Sequence, residues 1–471
     1  MERENAWKKY TESDVAKLEK LAAGYIDFIS ENKTERECCT TAIKMARKAG
    51  YISLAEAQSR GSKLRPGDRV YAHNCGKSLM LVQVGKLSMQ RGFNILGAHI
   101  DSPRLDIKQN PLYESADFAL LDTHYYGGIK KYQWVTIPLA IHGVVCMTDG
   151  SMVKVNVGED PNDPAFVITD LLPHLGDEQM KKLAPKVVEG EDLDVLVGGW
   201  PAAVDEDDES DEGKAAAKEP VKARLLALLK EKYGMSEEDF MSAELEVVPA
   251  GRARECGFDR SMVLGYGQDD RSCAYTSLVA QLEAPTQLEH TAICLLVDKE
   301  EIGSVGATGM TSMFFENTVA EIMELAGEAG DLPLRRALAN SAMLSSDVSA
   351  GFDPLYASAF ETKNASYLGR GLVFNKFTGA RGKSGSNDSN AEYVAQVRRV
   401  MEDAGVSYQT AELGKVDIGG GGTIAYILAK YGMDVIDSGV AVLSMHAPWE
   451  VTSKADLFEA KKGYLAFLGL V

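Results

Sequence analysis

The sequence predicts an α/β fold: a mixed, mostly parallel sheet sandwiched by helices, with a strand-rich domain inserted into it. Three observations support this. Short apolar runs such as Phe93–His99 and Thr291–Asp298 fit strands covered on both faces. Stretches of helical periodicity alternate with them, and strand–helix alternation builds parallel sheets. From about Pro103 to Val248 the alternation stops. Runs rich in Val and Ile take over, at 134–145 and 152–157, with Gly, Asp and Pro turns between them. The expected division is residues 1–102 and 251–471 for the two segments of one α/β catalytic domain, and 103–250 for the insertion.

The elements follow in order. Val15, Leu18, Leu21, Tyr25, Ile26 and Ile29 recur at helical spacing across Asp14–Ile29. Thr34 can cap a second helix, which Gly50 can end. Ser78–Val84 and Phe93–His99 read as buried strands. Inside the insertion, Glu219–Lys232 reads as a helix. Beyond it come a helix Cys273–Leu282, the strand Thr291–Asp298, a helix before Gly327 and the strand Ala342–Val348. A helix Asn390–Ala404, a Gly-rich turn and helix Gly419–Ala429, the strand Val440–His446 and a last helix Ser453–Leu468 complete the chain.

Composition narrows the function. The chain has 471 residues, 45% hydrophobic and 25% charged, which suffices for a large core. Acids outnumber bases 69 to 50, so the net charge is −19. Phosphate recognition needs clustered Lys and Arg, which argues against nucleic acid and against an anionic membrane surface as partners. No apolar run reaches the roughly 18–20 residues of a membrane span. The opening MERENAWKKYTESD lacks the apolar stretch of a secretory signal, and a cytoplasmic location is expected. Seven cysteines without a C-x-x-C pair read as reduced thiols. The run Asp205–Glu212 has seven acids in eight residues but no glycine at its sixth position, so it reads as a solvated loop rather than a calcium loop. GARGKS (379–384) fails as a phosphate loop because Phe377 stands where the first glycine belongs. The glycines at 303–309 and 419–422 read as turns and close backbone approaches.

Polar residues recur just past the apolar strands. AHIDSP gives His99 and Asp101, VDKEEIGS gives Asp298, Glu300 and Glu301, SSDVS gives Asp347, and SMHAP gives His446. GYGQDDRS adds Asp269 and Asp270 ahead of a helix. Open α/β sheets bind ligands at the carboxyl ends of their strands. Buried carboxylates there are costly unless paired or metal-bound. Two imidazoles and several carboxylates at one rim suit two divalent metals, most naturally zinc. In an extended His-x-Asp, Asp101 lies on the side of His99 and can hold one ring nitrogen while the other binds metal.

Taken together and in order, AHIDSP, QDD, DKEEIGS, SSD and SMHAP resemble the aspartyl aminopeptidase and vacuolar aminopeptidase I family of dinuclear zinc metallo-aminopeptidases, over nearly the whole chain, insertion included. The resemblance implies hydrolysis of the N-terminal residue of peptides by a water activated between two divalent ions, zinc, manganese or cobalt. It implies that His99, Asp269, Glu301, Asp347 and His446 bind metal, with Asp269 bridging. It makes Glu300 the general base and Asp101 the residue that orients His99. Asp270 becomes the partner of Asp269 across a cis peptide, and His142 and Lys376 become substrate-binding candidates. It further implies a homo-oligomer, a dodecamer built from dimers, with the inserted domain making contacts between subunits. Two readings stay open beside it: a related metal-dependent carboxypeptidase or amide deacylase with the same ligand pattern, and a metal-stabilised scaffold. The Glu300–Glu301 pair counts against the scaffold, since a structural site needs no base beside its ligands. The preferred N-terminal side chain is left open.

Overall fold

Thr11 opens the first long helix, Glu12–Glu31, with a capping box: its hydroxyl accepts from the Asp14 N–H while Asp14 returns a bond to the Thr11 N–H. Thr34 caps the second, Glu35–Lys48, through the Glu37 N–H. Gly50 lies just past its end at φ +89°, a conformation other residues avoid. The computed structural model describes residues 3–203 and 210–470. It resolves them into two compact units, one of residues 1–102, 253–445 and 449–471, the other of residues 103–252 and 446–448.

The first unit is built on a nine-stranded sheet. Its order is Ile52–Ser53, Arg69–Asn74, Ser78–Gln83, Thr291–Val297, Phe93–His99, Ala342–Ser345, Asp434–Gly439, Leu372–Asn375 and Tyr408–Thr410. The four strands from Thr291–Val297 to Asp434–Gly439 run parallel, and the sheet as a whole is mixed. Alternating residues feed two cores. Leu81, Leu96 and Cys294 pack under the helices Glu12–Glu31, Glu35–Lys48, Gln268–Glu283, Ala391–Asp403 and Lys454–Leu468. Val82, Ile95 and Ile293 pack under Phe314–Ala326, Asp331–Ala339 and Ala425–Ala429. Burial on both faces explains why these strands are apolar throughout instead of alternating. A second sheet of five short strands includes Met262–Gly265, paired with Glu450–Ser453, and Ala441–Leu443.

Register sets up the chemistry. His99 lies beside Val297, and Ser345 lies beside Gly97. The residues leaving these three strands, Asp101, Asp298–Glu301 and Asp347, therefore emerge at one edge.

The second unit is a six-stranded antiparallel sheet in the order Met152–Val157, Leu139–Cys146, Ala243–Pro249, Arg104–Ser115, Phe118–Tyr126, Val195–Gly198. Its helix Pro220–Tyr233 starts on a proline and stops at Gly234 in the left-handed region.

Several sequence-based bounds need correction. The division falls after Arg252, not at 250, and His446–Pro448 group with the second unit. The strand expected over Val440–His446 is only Ala441–Leu443, because Ser444 and His446 adopt φ of 58° and 65°. The helix expected from Gly419 is confined to Ala425–Ala429. Within 419–422 the close backbone approach expected holds at Gly419, where a Cβ would stand 1.6 Å from the Leu413 carbonyl oxygen. In the acidic run, residues 205–209 lie outside the described residues, while 211 and 212 open the helix Asp211–Lys218, capped by Ser210. All seven cysteines are unpaired. Among the described residues no helix is long and apolar enough to cross a membrane.

Candidate metal centre

The edge just described gathers six of the expected residues. Donor atoms of His99, Glu300 and Asp347 lie within 4.8 Å of one another, as do those of His99, Asp269 and Glu301, and those of Asp269, Asp270 and Asp347. The three groups overlap, so His99, Asp269 and Asp347 each belong to two. His99 is 1% exposed at the end of its strand. Its Nε2 lies 3.2 Å from Asp269 Oδ1 and 3.9 Å from Glu300 Oε2. On its other side, Nδ1 lies 3.1 Å from the Asp101 carbonyl oxygen and 3.3 Å from its Oδ1.

Asp101 does more than face the ring. Its two carboxylate oxygens accept the backbone N–H groups of Glu300 and Glu301, each at 3.2 Å. One carboxylate thus links the His99 strand to the turn Glu300–Ile302 that carries the glutamate pair. That turn leaves the sheet through Lys299 at φ +66° and is closed by Thr308 Oγ1, which donates to Asp298 Oδ2 at 2.5 Å.

Asp269 and Asp270 sit in the first turn of the helix Gln268–Glu283 with non-helical torsions, and the peptide between them is cis. The Asp269 backbone is held from two sides. Ser102 Oγ donates to its carbonyl oxygen at 2.6 Å, and its N–H donates to Glu450 Oε2 at 3.3 Å. The sequence reading stopped at SMHAP and missed Glu450. The available signal was an acid opening the strand Glu450–Ser453, which is otherwise apolar or small.

The cluster lacks positive charge. Burial first, then the neighbouring carboxylates, pushes the Asp347 and Asp270 carboxyls well above their ordinary range. Burial alone would lower the His99 imidazole, but Asp101 and Asp269 on its two nitrogens hold it well above its ordinary value. Asp270 Oδ1 is buried with no hydrogen-bond partner among the described residues. Metal binding replaces protons on such ligands, and one imidazole with several carboxylates is the N/O donor set of a divalent zinc-like ion. The residues present fit such an ion.

The remaining candidates stand elsewhere. His446 belongs to the second unit, where its Nδ1 lies 2.8 Å from the Gly128 carbonyl oxygen, and none of the three donor groups includes it. His142 is 1% exposed in the strand Leu139–Cys146, with Nε2 3.1 Å from Glu159 Oε1. Lys376 follows the strand Leu372–Asn375, 48% exposed, and shares Asp388 with Lys383.

Comparison with known proteins defines the class. Residues 28–468 match the family model of the aminopeptidase I zinc metalloproteases (M18), and the chain belongs to that family. It is 59% identical over 467 residues to a probable M18 family aminopeptidase 1 of Clostridium acetobutylicum, covering 99% of this chain and 98% of that protein. The crystal structure of an M18 aminopeptidase from Thermotoga maritima superimposes with a TM-score of 0.93 at 43% identity and full coverage of both chains. The S. cerevisiae mApe1 dodecamer, 21% identical with a TM-score of 0.75 over 95% of this chain and 96% of that one, shares the fold. By family the chain is therefore a zinc aminopeptidase, a hydrolase of peptide bonds.

Proposed function

We propose that the chain removes N-terminal residues from peptides at a dinuclear metal centre, with Glu300 as general base. The single observation that carries this is the overlap of three donor groups on His99, Asp269 and Asp347, which offers more ligands than one ion needs. Asp269, whose carboxylate lies in two of the groups, would hold the bridging role that its QDD motif implies. His99, Glu301 and Asp347 complete the ligands within the first unit. His446 keeps the ligand assignment that its SMHAP motif gives it.

A divalent metal bound by these residues would supply Lewis acidity, bringing a water into reach of deprotonation near pH 7 and polarising the scissile carbonyl. The protein does the rest. Glu300, less enclosed than the aspartates and more distant from His99 Nε2 than Asp269 is, has room to take a proton from the attacking water and return it to the leaving nitrogen. Asp101 fixes that carboxylate's backbone and the His99 ring together, so base and ligand hold one geometry. Carboxylates of the cluster pair with the free α-amine, which restricts cleavage to chain ends. Lys376, half exposed, is proposed as a substrate contact. His142 would serve as one only on leaving Glu159.

A homo-oligomer is proposed by analogy with the mApe1 dodecamer, and light scattering of the purified protein tests it. The activity is tested with aminoacyl p-nitroanilides against their N-acylated counterparts, with zinc, manganese or cobalt. Cleavage of the free-amine series alone, abolished by chelation, is expected. Preference for the N-acylated series would reject the reading.

A further inference from the structure

The helix Gln268–Glu283 is regular only beyond Asp270, because Asp269 and Asp270 have non-helical torsions, and Gly267 has no side chain to accept the N–H groups of the segment that leads into it. Those donors lie in the core, where an unmet N–H is costly. A carboxylate from another element meets them. Glu450 Oε2 accepts from the Gln268 N–H at 2.6 Å and from the Asp269 N–H at 3.3 Å. Register explains how it arrives: Glu450 pairs with Gly265 across two antiparallel strands, so its side chain needs to span only the turn that follows. Gly267 in turn cannot be replaced by a self-capping residue. It holds φ +73°, and a Cβ there would come within 2.1 Å of the Arg271 guanidinium and 2.9 Å of Ser102 Oγ.

Glu450 is 1% exposed, and the geometry ties it to the centre by one route. Gln268 is anchored further by its own side chain, which donates to the Val263 and Glu450 carbonyls and accepts from the Tyr25 hydroxyl. Ser102 on its carbonyl and Glu450 on its N–H hold the Asp269 backbone, which aims its carboxylate at His99 Nε2.

We propose that Glu450 is a positioning residue for Asp269: it holds the Gln268 and Asp269 N–H groups in the segment that leads into the helix and thereby sets the carboxylate shared by two donor groups. Glu450 belongs to none of the three donor groups among the described residues, and its bond to the Asp269 N–H is the route by which it acts. The inference rests on the reading of Asp269 as a ligand.

The test compares wild type with Glu450→Ala, Glu450→Asp, Glu450→Gln and Asp269→Ala. Zinc affinity is measured by titration, and the d–d absorption of the Co2+-loaded proteins and the melting temperature are recorded alongside. Removing an outer-shell partner of a metal ligand lowers metal affinity by about 10–100-fold. That loss, with an altered Co2+ spectrum, is expected for Ala and for Asp, whose shorter side chain withdraws from the amides. Gln keeps an oxygen for both N–H groups and should stay within about threefold of wild type on the same scale. If Glu450→Ala does not fold, Glu450→Asp carries the comparison. A lower melting temperature with unchanged affinity and spectrum overturns the proposal, since that is what a purely structural cap would give. Unchanged binding in Asp269→Ala overturns the underlying reading as well, and so separates the two failures.

Discussion

Two sets of buried carboxylates in the same unit behave differently. Asp269, Asp270 and Asp347 crowd within one donor cluster, where burial and then Asp269 raise the proton affinity of Asp270, and burial, Asp270 and Asp269 raise that of Asp347. Asp456 is equally buried and burial pushes its carboxyl up to about 8, but its two oxygens accept the N–H groups of Gly369 and Gly371 at 2.8 and 2.7 Å, which offset part of that rise. Asp437 is intermediate, with one oxygen taking the Thr423 hydroxyl at 2.6 Å and the other without a hydrogen-bond partner among the described residues. Burial alone therefore does not mark a catalytic acid. What separates the sets is whether the chain itself satisfies the charge. The oxygens of Asp456 are hydrogen-bonded by backbone and tie a loop to the last helix, whereas the cluster crowds carboxylates together in a donor set that fits a cation.

The sharpest way to break this contrast is to remove a cluster member. His99→Ala and Asp269→Ala should each lose bound zinc by elemental analysis and fall to a small fraction of wild-type turnover, about 1,000-fold or more if both the ion and its Lewis acidity go. Full zinc and full activity in both would sink the centre. A smaller effect is expected where a member serves as base. Glu300→Gln should keep zinc while kcat falls about 100-fold or more. If zinc is lost instead, Glu300 is a ligand, and the roles of the glutamate pair exchange.

The sequence made the cluster legible before any coordinates because its members follow buried strands, and strand ends in an α/β sheet converge. The strand Phe93–His99 matches its expected bounds residue for residue, since an apolar run ended by a histidine leaves little choice. His446 was legible as a residue but not in its surroundings. Its strand ends three residues early at two left-handed residues, and no periodicity signals that. Glu450 left only the trace of an acid opening an otherwise apolar or small strand, because its work is done by register between strands far apart in the chain, which no local pattern encodes. Of the glycines 419–422, the expected close backbone approach holds for Gly419 and Gly420, where a Cβ would meet the Leu413 carbonyl and the Ala380 backbone, and not for Gly422, where nothing lies within 4 Å.

Changes to the satisfied acids should leave the metal alone. Asp456→Asn keeps the shape but turns an amide toward one of the two glycine N–H groups, which costs about 1–3 kcal/mol of stability. Thermal unfolding should register that loss, while zinc content and the melting shift produced by added zinc stay as in wild type. A variant that lost zinc would erase the distinction between the two sets.

The smallest expected effect concerns Asp437 and is read as a slope against pH. Burial raises its carboxyl from an ordinary 3.8 to about 7, partly offset by the Thr423 hydroxyl. Between those values the folded protein holds a proton that the unfolded chain has released. The stabilisation is full below the ordinary value and is lost as pH rises through about 7. Asp437→Asn cannot titrate, so it lacks this loss. Its melting temperature should gain on that of wild type as pH climbs from about 5 to 8, by an amount of order 1 kcal/mol expressed as stability. Parallel pH profiles for the two proteins would mean that the orphaned oxygen is met by solvent and that Asp437 holds no proton in the folded chain over that range.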